Sequence, residues 1–156
     1  MSDWISFYDF KHSVIYVNAR HRDVHYRTIA TDIRAYVPSP TANVLDYGCG
    51  EASSADLVAA ASGHLTLVEA APNVRASLKA RYEANPKISV LTPDEAAAKP
   101  AASFDLIVMH SVAQYLSAAE LDRVLKTFRR LLKPDGLVIV GDIVPARFAA
   151  PYAALA

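Results

Sequence analysis

The sequence predicts an α/β domain: a doubly wound, mostly parallel sheet of strand order 3-2-1-4-5, with helices on both faces. Three observations lead there. Short runs rich in Val, Leu and Ile alternate with helical segments between Asn43 and Asp142. Glycine and proline punctuate those runs at Gly63, Pro72, Pro86, Pro134 and Gly136. A glycine turn, Asp46-Tyr47-Gly48-Cys49-Gly50, follows the first apolar run and precedes the small-residue stretch Ala52 to Ala61. Such alternation implies right-handed crossovers between parallel strands. It places a ligand at the carboxyl ends of strands 1 and 4.

The elements follow in order. Tyr26, Ile29, Ala30, Ile33 and Val37 recur at helical spacing and predict a helix near 21–36. The aromatic-rich piece before it, Trp4 to Val17, has no clear period. Strands are expected at 43–47, 65–69, 88–91, 104–109 and 137–141, with helices near 52–62, 72–84 and 118–132. Alanine, the best helix former, favours helix and loop in Ala96-Ala97-Ala98 and Ala101-Ala102. One domain accounts for all 156 residues: an N-terminal helical segment over 1–40, a ligand-binding core over 41–142 and a tail over 143–156.

Bulk composition narrows the function classes. The 16 basic and 16 acidic residues cancel, so no net field draws the chain to nucleic acid or an anionic membrane. The single cysteine forms no internal disulfide and suits a reducing, cytoplasmic setting. The N-terminus shows no basic-then-apolar signal pattern. No apolar run approaches the roughly 20 residues that span a bilayer.

At the turn, glycines without Cβ atoms allow a nucleoside cofactor to lie against the backbone. Glu69 closes the next apolar run, Leu65 to Val68, 23 residues after Asp46. That is close to the roughly 20 expected of an acid that takes ribose hydroxyls. A dinucleotide fold would have a third glycine where this chain has Ser53, and no Tyr-x-x-x-Lys pair is present.

The Asp-x-Gly-x-Gly form resembles motif I of the class I S-adenosylmethionine-dependent methyltransferases. The resemblance extends over roughly Asn43 to Asp142. Leu67-Val68-Glu69-Ala70 looks like the ribose-binding strand end, Thr92-Pro93-Asp94 like the loop after strand three, and Phe104 to Val108 like strand four. Leu131-Leu132-Lys133-Pro134-Asp135-Gly136-Leu137 resembles the turn before strand five. The resemblance implies S-adenosylmethionine as methyl donor and S-adenosylhomocysteine as product. It implies a cofactor set of Asp46, Gly48, Cys49, Gly50, Glu69, Ala70, Asp94, Glu95 and His110. Glu69 would take the ribose diol, Asp46 would orient the amino-acid end or its water, and Asp94 would accept from the adenine amine. Asp94 also suits the N-cap of a short helix beginning at Glu95. Cys49, in a tight apolar turn, has no expected chemistry.

His110, Ser111 and Gln114 follow strand four, where acceptor contacts fall in this family. His110 is the candidate general base, its unperturbed pKa being near neutrality. The chain lacks the Asn/Asp-Pro-Pro-aromatic motif of relatives that methylate nucleobase or amide nitrogens, and lacks the acid of the magnesium-dependent catechol type. Asp142 ends strand five and could also face the acceptor. In the N-terminal segment Tyr16, Arg20, His21, His25 and Tyr26 cluster; the family often folds such a segment over the cofactor as a lid. Arg20, matched to a carboxylate, and Tyr16 join the cofactor set. His21 and His25 share a helix face, but no third metal ligand is evident. Arg123, Lys126, Arg129 and Arg130 read as a solvated helix face.

After strand five only Ile143 to Ala156 follow, too few for the sixth and seventh strands usual in this fold, so either a reduced domain or a truncated chain is expected. The loss would leave strand five an open edge. Residues 143–156, the N-terminal segment or a second copy of the chain are expected to cover it. The expected function is methyl transfer to a small-molecule acceptor. A cofactor-binding module without activity and an NAD-dependent oxidoreductase are the alternatives.

Overall fold

The computed structural model describes residues 5–6, 9 and 16–143. Helix α1 runs Ala19–Ala35 and is followed by β1 (Asn43–Tyr47), α2 (Ala55–Ala61), β2 (His64–Val68), α3 (Pro72–Tyr82) and β3 (Ile88–Leu91). Then come α4 (Pro93–Ala97), β4 (Phe104–His110), α5 (Ala118–Leu131) and β5 (Leu132–Gly141), with a 3-10 turn at Ala113–Tyr115. The strands form one sheet in the order β3-β2-β1-β4-β5, every pair parallel. This is the expected doubly wound topology.

Strand side chains alternate between two apolar layers, as the two-residue strand period requires. Val44, Leu65, Leu67, Val90, Leu106 and Val108 join the core beneath α1, α2 and α3. Leu45, Val68, Ile107 and Met109 join Phe128 and Leu131 beneath α4 and α5. The alternation puts Asp46 on the α1–α2 side and Tyr47 on the α5 side, where its ring meets Phe128 edge-on at 5.2 Å.

Local chemistry sets the helix starts. The Asn18 side chain accepts from His21 N–H to cap α1. Ser117 with Glu120, and Thr92 with Glu95, form capping boxes on α5 and α4. Helix α4 therefore begins at Pro93 under a Thr92 cap, and the reading of Asp94 as the cap of a helix from Glu95 is corrected. Thr92 offers its hydroxyl three residues before Glu95, and Pro93 supplies a preset φ at the first helical position.

Strand β5 starts earlier than the expected 137–141. Leu132 pairs with Phe104, and Leu137 with Leu106. Lys133 to Gly136 bulge out between these pairings, because Pro134 has no N–H to give the ladder. The bulge is tied down by charge. Both carboxylate oxygens of Asp105 accept from Lys133 Nζ at 2.9 Å, and Oδ2 also accepts from Asn43 N–H at 2.8 Å. Burial pushes Asp105 up, but Lys133 and the Asn43 N–H outweigh it, so the carboxyl lies below its usual value. A depressed folded pKa contributes stability above the unfolded pKa of about 4, lost as pH falls through the folded value. Asp105→Asn is thus expected to cost about 1 kcal/mol in urea unfolding at neutral pH, and less at pH 3.

Helix α1 packs into the core. Tyr26, Ala30 and Ile33 are buried, the latter two in the same core as Val58 and Ala59 of α2. Asp9 reaches α3, accepting from Asn73 N–H at 2.6 Å and Asn73 Nδ2 at 3.0 Å. Among the described residues β5 pairs only with β4. Leu137 and Ile143 are exposed near that edge. The tail proposed to cover it, beyond Ile143, lies outside the described residues, as does most of the segment before Tyr16.

Candidate cofactor and acceptor site

The turn after β1 is built from left-handed residues. Gly48 and Gly50 have φ of +74° and +58°, and Ala52, which carries a Cβ, has +38°. Gly48 N–H donates to Val68 O at 2.8 Å, so the turn folds back onto the end of β2. A Cβ at Gly48 would lie 2.4 Å from Val112 Cγ2, and one at Gly50 would lie 2.9 Å from Tyr26 Oη. The glycines thus let protein side chains approach the turn: Val112 from the loop after β4, and Tyr26 from α1.

Five side chains fix the polar groups of the turn and of the neighbouring Glu69–Ala71 segment. Glu69 Oε2 accepts from Gly50 N–H at 3.0 Å, and Oε1 accepts from Ala71 N–H at 2.7 Å. Tyr26 Oη accepts from Glu51 N–H at 3.1 Å. Arg81 donates to Glu51 O and Tyr82 to Ala52 O, each at 2.5 Å. Arg75 Nη1 donates to the carbonyls of Glu69 and Ala70 at 2.8 and 3.0 Å. A left-handed alanine persists only where its surroundings over-determine it, and these bonds do so.

Glu69 is buried, and burial pushes its carboxyl up against the backbone N–H groups that favour its charge. Asp46 is different. Among the described residues no hydrogen bond reaches its half-buried carboxylate; burial, then the charge of Glu69, raise it from 3.8 to about 7. A half-buried carboxylate that the described residues do not bond takes its donors from water or from a ligand. A ligand bearing a cationic amino group would be such a donor. Cys49 is buried and its thiol is held protonated by burial and by Asp46 and Glu69.

The other expected residues sort as follows. Glu95 is engaged by its capping box, accepting from Thr92 N–H at 2.7 Å. Asp94 is exposed and lines a cavity of about 210 Å³ between α4 and α5, with Tyr47, Arg123 and Phe128. Arg20 is exposed on α1. Arg22 instead reaches the turn, its Nη1 lying 3.6 Å from Glu51 Oε2, while its buried Nε lies 3.8 Å from Asp23 Oδ1 and has no hydrogen bond among the described residues. Arg22 precedes Tyr26 by one helical turn; that spacing was the available signal. The ring of Tyr16 lies 5.9 Å from Tyr26, 5.5 Å from His25 and 5.8 Å from His21. Tyr82, Arg75 and Arg81 had no signal of their own; they read as ordinary residues of a helix.

At the ends of β4 and β5 a second group assembles. His110 Nδ1 and Ser111 Oγ are 2.9 Å apart, and Ser111 Oγ donates to Asp142 Oδ2 at 2.5 Å. Gln114 Nε2 donates to Ser111 O at 2.9 Å. The two groups share the carboxyl end of the sheet, and Val112 joins them.

The geometry agrees with the sequence comparisons. The sequence profile of a family described as a methyltransferase domain matches residues 44–136. The chain belongs to that family, and its fold is that of the class I, Rossmann-like methyltransferases. Among solved structures it is similar to Haemonchus contortus phosphoethanolamine N-methyltransferase 1, in complex with phosphoethanolamine and S-adenosylhomocysteine (TM-score 0.70, 20% identity, covering 88% of this chain and 30% of that one). It is also similar to a SAM-dependent methyltransferase of Leishmania major (0.67, 21%, 87% and 58%). A third similar structure is the [4+2]-cyclase SpnF (0.64, 21%, 72% and 43%). The chain spans less than two-thirds of the length of each of these three. No curated protein matches it. No helix among the described residues is long and apolar enough to cross a membrane.

Proposed function

We propose that the chain transfers a methyl group from S-adenosylmethionine to a small-molecule acceptor. The observation that carries this is the turn at Gly48–Gly50, pinned to Glu69 beside the carboxylate of Asp46, which has no donor among the described residues. Asp46 would hold the cationic amino group of the donor, and Glu69 the ribose, through the lone pairs its two backbone bonds leave free. Gly48, Cys49, Gly50 and Ala70 would line the cofactor with backbone, and Asp94 would accept from the adenine amine. Tyr16 would close the site from the α1 side, and Arg22, rather than Arg20, would reach the donor's carboxylate. The donor brings a methyl group already activated on a sulfonium, so the protein's work is alignment and the exclusion of water. The cyclase among the similar structures shows why the fold alone does not name the reaction.

Calorimetric titration with S-adenosylhomocysteine tests the reading. Binding is expected to tighten as pH rises through about 7, because the ligand's ammonium selects the ionised form of Asp46. Asp46→Asn should weaken binding at pH 8 and flatten the pH dependence. No heat and no thermal protection at millimolar ligand would overturn the proposal.

A further inference from the structure

We infer that Ser111 and Asp142 hold His110 in the tautomer protonated at Nδ1, so that Nε2 is the general base for an acceptor hydroxyl. The inference rests on the methyltransferase reading.

Hydrogen counting makes the argument. A serine hydroxyl has one hydrogen to give, and an ionised carboxylate can only accept. Ser111 Oγ and Asp142 Oδ2 are 2.5 Å apart, so that hydrogen goes to Asp142. Ser111 Oγ also meets His110 Nδ1 at 2.9 Å. With its own hydrogen committed, the hydroxyl can only accept there, so Nδ1 carries the proton. In a neutral imidazole the other nitrogen is then a bare lone pair. Among the described residues Nε2 has no hydrogen-bond partner, and it is not a sealed, buried atom.

The backbone shows that this arrangement is built. Ser111 and Asp142 both adopt left-handed conformations, with φ of +58° and +50°. Neither is glycine, and each such residue is ordinarily avoided. Every polar group of Ser111 is engaged: its N–H donates to Gly141 O at 3.1 Å and its carbonyl accepts from Gln114. The imidazole lies over Gly141, where a Cβ would come within 2.7 Å of His110 Cδ2. Gly141 therefore leaves room for the ring, and the two left-handed residues set a hydroxyl against its inner nitrogen and a carboxylate against that hydroxyl. Backbone strain of this kind gathers at functional sites.

Other groups around the ring do not undo the assignment. His25, on α1, lies within electrostatic reach of both His110 and Asp142. Burial first, then the charges of His110 and His21, hold His25 below the usual histidine value. It therefore stays neutral more readily than an exposed histidine.

A hydroxyl acceptor is the class that needs such a base. The acceptor oxygen bonds to the methyl carbon, the carbon–sulfur bond breaks with its electron pair going to sulfur, and the hydroxyl proton goes to Nε2. The positive charge that left sulfur ends on the imidazolium, with Asp142 behind it through Ser111. His110 is the catalytic residue here; Ser111 and Asp142 are positioning residues.

Histidine 15N–1H NMR of the full chain at pH 8 reads the tautomer directly. In the wild type the unprotonated nitrogen of His110 is expected to be Nε2. Ser111→Gly removes the hydroxyl while suiting the left-handed backbone, and should shift the ring to the mixed or Nε2–H form. Asp142→Asn, also tolerant of that conformation, should shift it in the same direction. A wild-type ring protonated at Nε2, or an Nδ1–H ring unchanged in both variants, would overturn the inference. S-adenosylhomocysteine binding, measured on the same samples, separates the two proposals. Its absence removes the methyltransferase reading, whereas binding with the wrong tautomer removes only the role of Ser111 and Asp142.

Discussion

Gly48→Ala is expected to destabilise the protein by about 2–4 kcal/mol, combining overpacking with a left-handed alanine. The new methyl would sit 2.4 Å from Val112 Cγ2, at a backbone φ of +74°. Neither partner can retreat easily. Val112 is buried, and Gly48 N–H is bonded to Val68 O at the end of β2. Urea unfolding measures the loss. The steric share is isolated by Val112→Ala: the double variant should lose less than the sum of the single ones, by about 1 kcal/mol or more. Strict additivity would mean that the conformation, not the contact, demands glycine.

Glu69→Ala should cost about 2–3 kcal/mol, because it strips the acceptors from two backbone N–H groups, Gly50 and Ala71. The pH dependence has a definite sign. Burial raises the folded Glu69 carboxyl above its ordinary value, so the folded protein binds that proton more tightly than the unfolded chain. Wild-type stability from this group therefore falls as pH rises from about 4 toward the folded value. The destabilisation by Glu69→Ala should be larger at pH 5 than at pH 8. The same variant should weaken S-adenosylhomocysteine binding by roughly 1–3 kcal/mol if Glu69 takes the ribose. Unchanged affinity in a folded variant would leave Glu69 as a clamp on the turn alone.

The sheet was legible in the sequence because its signals are local and redundant. The runs at 43–47 and 88–91 have the observed bounds, since each is a compact apolar stretch ended by turn residues. The start of β5 was not legible: Leu132 pairs with Phe104 across a bulge, and only the tertiary register reveals that. At the site, sequence spacing could nominate Glu69 and Asp46 but not their different surroundings, one carboxylate bonded twice to backbone and the other without a donor among the described residues. Tyr26 shows the same limit. Its helical period marked it as a core residue, which it is. That its hydroxyl also holds Glu51 N–H depends on a contact 25 positions along the chain. The Ser111–Asp142 contact spans 31 positions and needs two backbone conformations that no local pattern announces.

The phenol of Tyr26 has one more consequence. The shared family region begins at residue 44, yet the helix that fills the gap over Gly50 lies wholly upstream of it. A fragment trimmed to the family borders would lose Ala30 and Ile33 from its interior, and the glycine bend would lose the oxygen that steadies it. A fragment that keeps this support for the bend therefore has to start before Ala19, upstream of the shared family region.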